Sequence, residues 1–227
     1  VAVYLGSTAL AGLHLGTTDV QKVYLGTTEI WSASTPPSYD AASTPVSTAG
    51  NGSFNFTATL NADVFVVACW QSSSTSITGV THDGVTMSEI ASVLHNNTAS
   101  SGGTKVFRLA NAGAGIGKSV SITTSGFGWF AFGAISVLNV HTVGTPTTSY
   151  GTGTALTQSV SLTSGLVIQT MGAGGGAFGS FTGCTNRSNL NPGGGIPQAI
   201  NTVTTSTTVS ATNSVSNAWG CIAVPLT

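Results

Sequence analysis

Six carboxylates, five lysines or arginines and four histidines are the ionisable chemistry of this 227-residue chain. Cleaving a glycosidic bond takes two facing carboxylates at a set separation. Of Asp19, Glu29, Asp40, Asp63, Asp83 and Glu89, only Asp83 and Glu89 lie close together after residue 52. Asp83 has a simpler duty. With Gly84, inside VTHDGVTM, it forms the Asp-Gly dipeptide that a two-residue hairpin favours, because both central residues need positive φ. No GxSxG elbow presents a serine nucleophile. His82 and His95 flank this region without HExxH or DxDxDG spacing, and the Gly-rich run 172–179 lacks the Lys and Ser/Thr of a phosphate loop. Cys69, Cys184 and Cys221 are odd in number and widely spaced; they read as reduced thiols of a cytoplasmic product, with one bridge left open and zinc excluded by spacing. The expectation is a non-enzyme with no catalytic residue, no cofactor and no metal site.

The rest of the composition narrows the class. Charged residues make up 5% of the chain, where an ordinary soluble domain carries about 25%. With 41% hydrophobic residues and a net charge of -1, the chain should fold but offers no basic surface for nucleic acid. No apolar run approaches a membrane span, so no membrane insertion is expected. The N-terminus lacks the basic and long apolar regions of a secretion signal, and Val1 is what removal of an initiator methionine would leave. Four tryptophans could stack on sugars. Trp70 and Trp129, however, stand in strongly apolar strand-like runs that read as core, and Trp31 reads as packing the N-terminal segment.

The elements that must position these residues are strands. Runs such as 53–60, 63–70, 104–110, 119–126, 129–140, 156–162 and 166–171 are rich in Val, Ile, Thr and aromatics and are punctuated by Gly, Asn or Ser, while helical periodicity is absent. About ten short strands between 53 and 227 predict an all-β, antiparallel, jelly-roll-like β-sandwich of two packed sheets. Residues 32–52, with three of the seven prolines, read as an extended linker.

Residues 1–31 are a threefold decapeptide repeat: VYLGST, LHLGTT and VYLGTT begin its units. Tyr4, His14 and Tyr24 recur ten apart, as do Leu5, Leu15 and Leu25, and Gly6, Gly16 and Gly26. Each unit reads as a short strand, a Gly-containing turn and a return strand, with the leucines on one face and Tyr4, His14 and Tyr24 on the other. His14 replaces a tyrosine as a planar, half-polar filler. About thirty residues cannot bury such faces alone, and repeats solve this by stacking or by sharing between chains. The segment therefore reads as an assembly and anchoring module, a small β-prism or stacked hairpins. Its interface would be built from Val3, Tyr4, Leu5, Leu13, His14, Leu15, Val23, Tyr24, Leu25, Ile30 and Trp31.

N-terminal VYLGTTxI repeats before a Gly/Ser/Thr-rich sandwich resemble the minor tail and other virion proteins of long-tailed bacteriophages of actinobacteria. The succession GVTHDGVTM (79–87), KVFRLANAGAG (105–115), SVSITTSG (119–126) and WFAFGAISVLNV (129–140) is similar to a β-sandwich module of phage tail proteins and bacterial surface proteins. The resemblance implies a virion structural subunit, made in the host cytoplasm and located at the tail tip, in a fibre or on the capsid as decoration. It would be a homo-oligomer, a trimer, in contact with other virion subunits. The alternative reading is a carbohydrate-binding or adhesion module whose partner is a host cell-surface glycan.

Overall fold

The computed structural model describes residues 4–5, 8–9, 14–15, 18–25, 27–32, 35–72, 74–191 and 195–227, with the backbone path alone for those up to 19 and for 28–32. The chain divides into two compact units, Val1–Thr35 and Pro36–Thr227.

In the first unit each decapeptide is one antiparallel hairpin. Strands β1 (Tyr4–Leu5) and β2 (Thr8–Ala9) pair Leu5 with Thr8; β3 (His14–Leu15) and β4 (Thr18–Asp19) pair Leu15 with Thr18. Strands β5 (Lys22–Leu25) and β6 (Thr28–Ser32) pair Leu25 with Thr28, then shift register between Val23 and Tyr24. The repeat in sequence is thus a repeat in register, because the same Leu and Thr close every hairpin.

The body is all antiparallel β. Its strands are β7 (Ser38–Ala42), β8 (Val46–Thr48), β9 (Gly52–Thr57), β10 (Asp63–Trp70), β11 (Ile77–His82), β12 (Val85–Thr86), β13 (Ser88–Leu94), β14 (Gly103–Leu109), β15 (Gly117–Thr124) and β16 (Phe130–Leu138). They continue with β17 (Thr147–Val160), β18 (Leu166–Ala173), β19 (Phe178–Thr182), β20 (Thr185–Leu190), β21 (Gln198–Val203) and β22 (Thr207–Leu226). An outer sheet has the order β12-β11-β15-β9, and a central sheet β13-β14-β10-β16-β7 with β8 also on β16. A third sheet has the order β17-β22-β18-β21-β20 with β19 also on β22. The sandwich class expected from the sequence is therefore correct, with three sheets where two were expected.

The order of layers explains which strands are apolar throughout. Every residue of β10 and of β18 is buried, because each strand has a core on both faces. Val64, Val66, Phe130 and Phe132 pack with Phe56, Val80 and Ile122 between the outer and central sheets. Phe65, Val67, Ala131 and Ile135 pack with Ile168, Ile200 and Ile222 between the central and third sheets. The third core arises because β22 carries several extra residues, Asn213–Ser216, between its pairings of Asn217 with Gly153 and Thr212 with Ala155. The first half of β22, with β19 and the second half of β17, packs Phe178, Leu156, Val209 and Ala211 against Met171, Trp219 and Cys221.

The segment 32–52 is not a linker. Its Pro36–Gly52 portion belongs to the body, where β7 and β8 both pair with β16. Asp40 fixes it there: its carboxylate accepts hydrogen bonds from Thr59 N (2.9 Å), Thr59 Oγ1 (2.6 Å) and Ser136 Oγ (2.7 Å). The body accordingly starts near Pro36, not at residue 53.

The strand ends define two ends of the body. Ser38, where β7 begins, lies opposite Leu138, Asp63 lies opposite Val137, and Leu226 closes on Leu166. Both chain ends of the body therefore lie at one end. At the other, Trp70 faces Phe130 and Gly103, Ile77 faces Thr124, and Gly172 faces Gln198. Loops 49–51, 125–129 and 174–177, the turn 95–102 and the described residues of the segments 71–76 and 191–197 emerge there.

Candidate functional site

The ionisable residues singled out by sequence are dispersed rather than gathered. Asp83 and Gly84 form the expected turn between β11 and β12, with φ of 51° and 79° and His82 paired to Val85. Asp83 accepts from Lys118 Nζ at 2.7 Å in the outer sheet, and that bond, then the lysine's charge, holds its carboxyl below the usual range. Glu89, on the central sheet, pairs with Lys105 Nζ at 2.9 Å. Each acid thus faces its own lysine. Asp63 is buried and bound on both oxygens, by Arg108 Nε (2.7 Å) and Arg108 Nη2 (2.6 Å) on one and by Asn111 N (2.9 Å) on the other. Among the described residues no three His, Cys, Asp or Glu side chains are placed to hold a metal ion.

His95 is a core residue. One glycine from each of two neighbouring strands makes room for it: a Cβ on Gly172 would come within 2.7 Å of Cys69 Sγ and 3.1 Å of His95 Nε2, and one on Gly220 within 3.1 Å of His95 Cδ2. Nδ1 lies 3.2 Å from Ser101 O, which can only accept, so Nδ1 carries the proton and Nε2 accepts from Thr104 Oγ1 at 3.0 Å. Burial pushes the imidazole pKa down to about 4, against a weaker upward pull from the Ser101 carbonyl. His82 is also pushed down, by burial first, with Asp83 opposing and Lys118 adding to the fall. All three cysteines are free thiols. Burial raises Cys69 to about 11 and Cys221 to about 12.

A second polar cluster runs through the third core. Gln169 Nε2 donates to Gln158 Oε1 (3.0 Å), Asn201 Nδ2 to Gln169 Oε1 (2.7 Å) and Asn186 Nδ2 to Asn201 Oδ1 (2.8 Å). A chain of amides satisfies donors and acceptors without charge, and it fixes the lateral register of four strands. Nothing in the sequence pattern marked these residues as partners.

Of the expected assembly residues, Val3, Leu13 and the side chains of Tyr4, Leu5, His14, Leu15, Ile30 and Trp31 lie outside the described residues. The third hairpin is the informative one. Val23 is half-buried, Tyr24 is exposed, and Leu25 is 74% exposed, so an apolar side chain stands in solvent on the hairpin itself.

The tryptophans divide otherwise than expected. Trp70 is core, whereas Trp129 is 56% exposed and the nearby Phe127 85% exposed. Trp129 precedes the first residue of β16, so it falls outside the buried stretch that begins at Phe130. Both aromatics lie in the loop 125–129. That loop is held by paired bonds, Ser76 N donating to Ser125 Oγ at 2.9 Å and Ser125 N donating to Ser76 O at 3.0 Å, and by a longer bond from Gly128 N to Ala49 O (3.4 Å). Beside it is a cleft of about 270 Å³ lined by Ala49, Gly50, Asn51, Thr124, Gly126 and Phe127. A larger groove of about 490 Å³ runs along β9, lined by Ala41–Thr44, Val46 and Phe54–Thr57, and none of its lining residues except main-chain groups and small hydroxyls or one amide is polar.

No family model matches the chain, and neither does any curated protein or solved structure.

Proposed function

We propose that the protein is a structural subunit of a bacteriophage virion, a minor tail protein of the tail tip or fibre. In this reading it anchors through its N-terminal hairpins and displays its β-sandwich body. The observation that carries the proposal is the matched register of the three decapeptide hairpins within a unit of their own, Val1–Thr35. Such a unit is too short to bury its apolar faces unaided, and Leu25 stands exposed on it. Packing against copies of itself and against other virion subunits removes that surface from water, and a trimer gives each repeat a threefold setting.

The sparse charge supports the same reading. Surfaces of Thr, Ser, Asn and Gly suit a subunit that spends its life packed in an assembly, where charge repulsion between free molecules is not needed for solubility. The test is immunogold electron microscopy with antibody to the full chain, on particles from a lysate of cells carrying the gene. Gold at the tail tip or fibre is expected; gold on the capsid would move the subunit to a decoration role, and particles without gold would overturn the proposal.

A further inference from the structure

The loop end of the body exposes two large aromatic rings, Phe127 and Trp129. Loops 49–51, 71–76, 125–129, 174–177 and 191–197 contain no Asp, Glu, Lys, Arg or His, and the turn 95–102 between β13 and β14 contains only His95, which is buried. The charged pairs Asp63–Arg108 and Asp83–Lys118 lie away from them, Asp63 beside Asn111 and Asp83 beside Ser119. Lys105, paired with Glu89, donates to Ile77 O at 3.3 Å beneath loop 71–76 and is not among the residues lining the cleft beside Phe127. Ser38 and Leu226, near the first and last residues of the body, lie at its opposite end.

Phe127 and Trp129 put two large rings into solvent where two glycines, Gly126 and Gly128, keep neighbouring side chains out of the way. A Cβ on Gly128 would lie 2.8 Å from Thr75 Oγ1, so a side chain there would force Thr75 to shift. The adjoining cleft is held open by Asn51: its Oδ1 accepts from Thr124 N at 2.9 Å and from Thr124 Oγ1 at 3.1 Å, tying loop 49–51 to the end of β15. With Oδ1 occupied, the Nδ2 donor of Asn51 has no hydrogen-bond partner among the described residues. The cleft, at about 270 Å³, is smaller than the about 300–1,000 Å³ of sites for drug-sized ligands. It has room for about one sugar ring.

We propose that this end of the body binds a neutral saccharide, with Phe127 and Trp129 as the stacking platform and Asn51 as a hydrogen-bond donor. A pyranose or furanose has an apolar C–H face that an exposed aromatic ring covers, and hydroxyls around its edge that amide and hydroxyl groups satisfy. None of the residues lining the cleft is ionisable, which selects against phosphorylated, sulfated and acidic sugars, since these would be desolvated there without a counter-charge. An interface with a protein partner would instead call for a broad apolar centre with desolvated anchors; here the two rings stand among glycines, hydroxyls and one amide. The inference rests on the body being the displayed part of the subunit and names what it is displayed to.

The test is a printed array of neutral gluco-, manno-, galacto- and arabino-oligosaccharides with sialylated and sulfated controls, probed with the full chain, then a titration of the captured sugar followed by tryptophan fluorescence. Capture of one or more neutral oligosaccharides is expected, with affinity reduced tenfold or more in Phe127→Ala and in Trp129→Ala and unchanged in Leu60→Ser near the opposite end. Phe127 is so exposed that its replacement leaves the core untouched, and circular dichroism of each variant verifies this. The proposal is overturned if no neutral sugar is captured, if only charged sugars are, or if the two aromatic variants bind as well as wild type. It is equally overturned if those variants lose self-association instead of sugar binding. Immunogold-labelled particles without sugar capture would refute this inference alone; capture by a protein absent from the particle would refute the virion role alone.

Discussion

Replacing His95 by glutamine should remove a specific part of the protein's sensitivity to acid. The imidazole is fully buried between the central and third sheets, neutral, and held between Ser101 O and Thr104 Oγ1. Its pKa falls from 6.5 to about 4 on folding. Above pH 6.5 neither folded nor unfolded chain binds the proton, and the folded state keeps its full stability. As the pH drops from 6.5 towards 4 the unfolded chain takes up a proton that the native core refuses, so stability is lost through that window and no further below it. At pH 5 the loss from this one residue is about 2 kcal/mol. Glutamine retains a neutral polar group near Thr104 and cannot titrate. Urea unfolding at pH 7.5 and pH 5.0 should show wild type losing about 2 kcal/mol more than His95→Gln. For a body of this size that is a difference of roughly 4–8 °C in Tm. His82, also depressed by burial, titrates in both proteins and cancels from the comparison. Equal losses in wild type and variant would refute the neutral, buried state of His95.

Removing Arg108 by Arg108→Met should cost about 3–5 kcal/mol, because it strands a carboxylate in the interior; the double variant Asp63→Ala/Arg108→Met should be less destabilised than the single one in chemical denaturation, and the reverse order would contradict the pairing of Asp63 with Arg108. Thiol titration of the native protein with an aromatic disulfide should modify Cys184 slowly and leave Cys69 and Cys221 unmodified, since both are fully buried with pKa raised to about 11 and 12. Three rapid equivalents without denaturant would show that the two inner cores open.

The legible parts of the fold are those where the sequence carries a strong apolar signal. DVFVVACW is β10 to the residue, because a strand between two cores is apolar on both faces. Asp83-Gly84 announced its turn through backbone conformation alone. The Thr-, Asn- and Ser-rich strands β19, β20 and the first half of β22 were hidden, because in a chain so poor in charge the outward positions are nearly as neutral as the inward ones. Strands β7 and β8 were obscured by the prolines beside them, although Asp40, the residue that pins them, was in view. Trp129 shows how much one boundary matters: a shift of a single residue at the start of β16 moves a tryptophan from core to solvent. His95 depends on Gly172 and Gly220, distant in sequence, and no local pattern could have placed it.

The claim that the hairpins are the assembly element is tested most directly by multi-angle light scattering of the full chain beside a truncation beginning at Pro36, the start of the body. Beginning the truncation later would delete β7 and β8 and confuse loss of assembly with loss of the fold. The account predicts a trimer for the full chain and a monomer for residues 36–227, both retaining β-rich circular dichroism. The same molecular mass per particle, in numbers of chains, with and without the hairpins would contradict it.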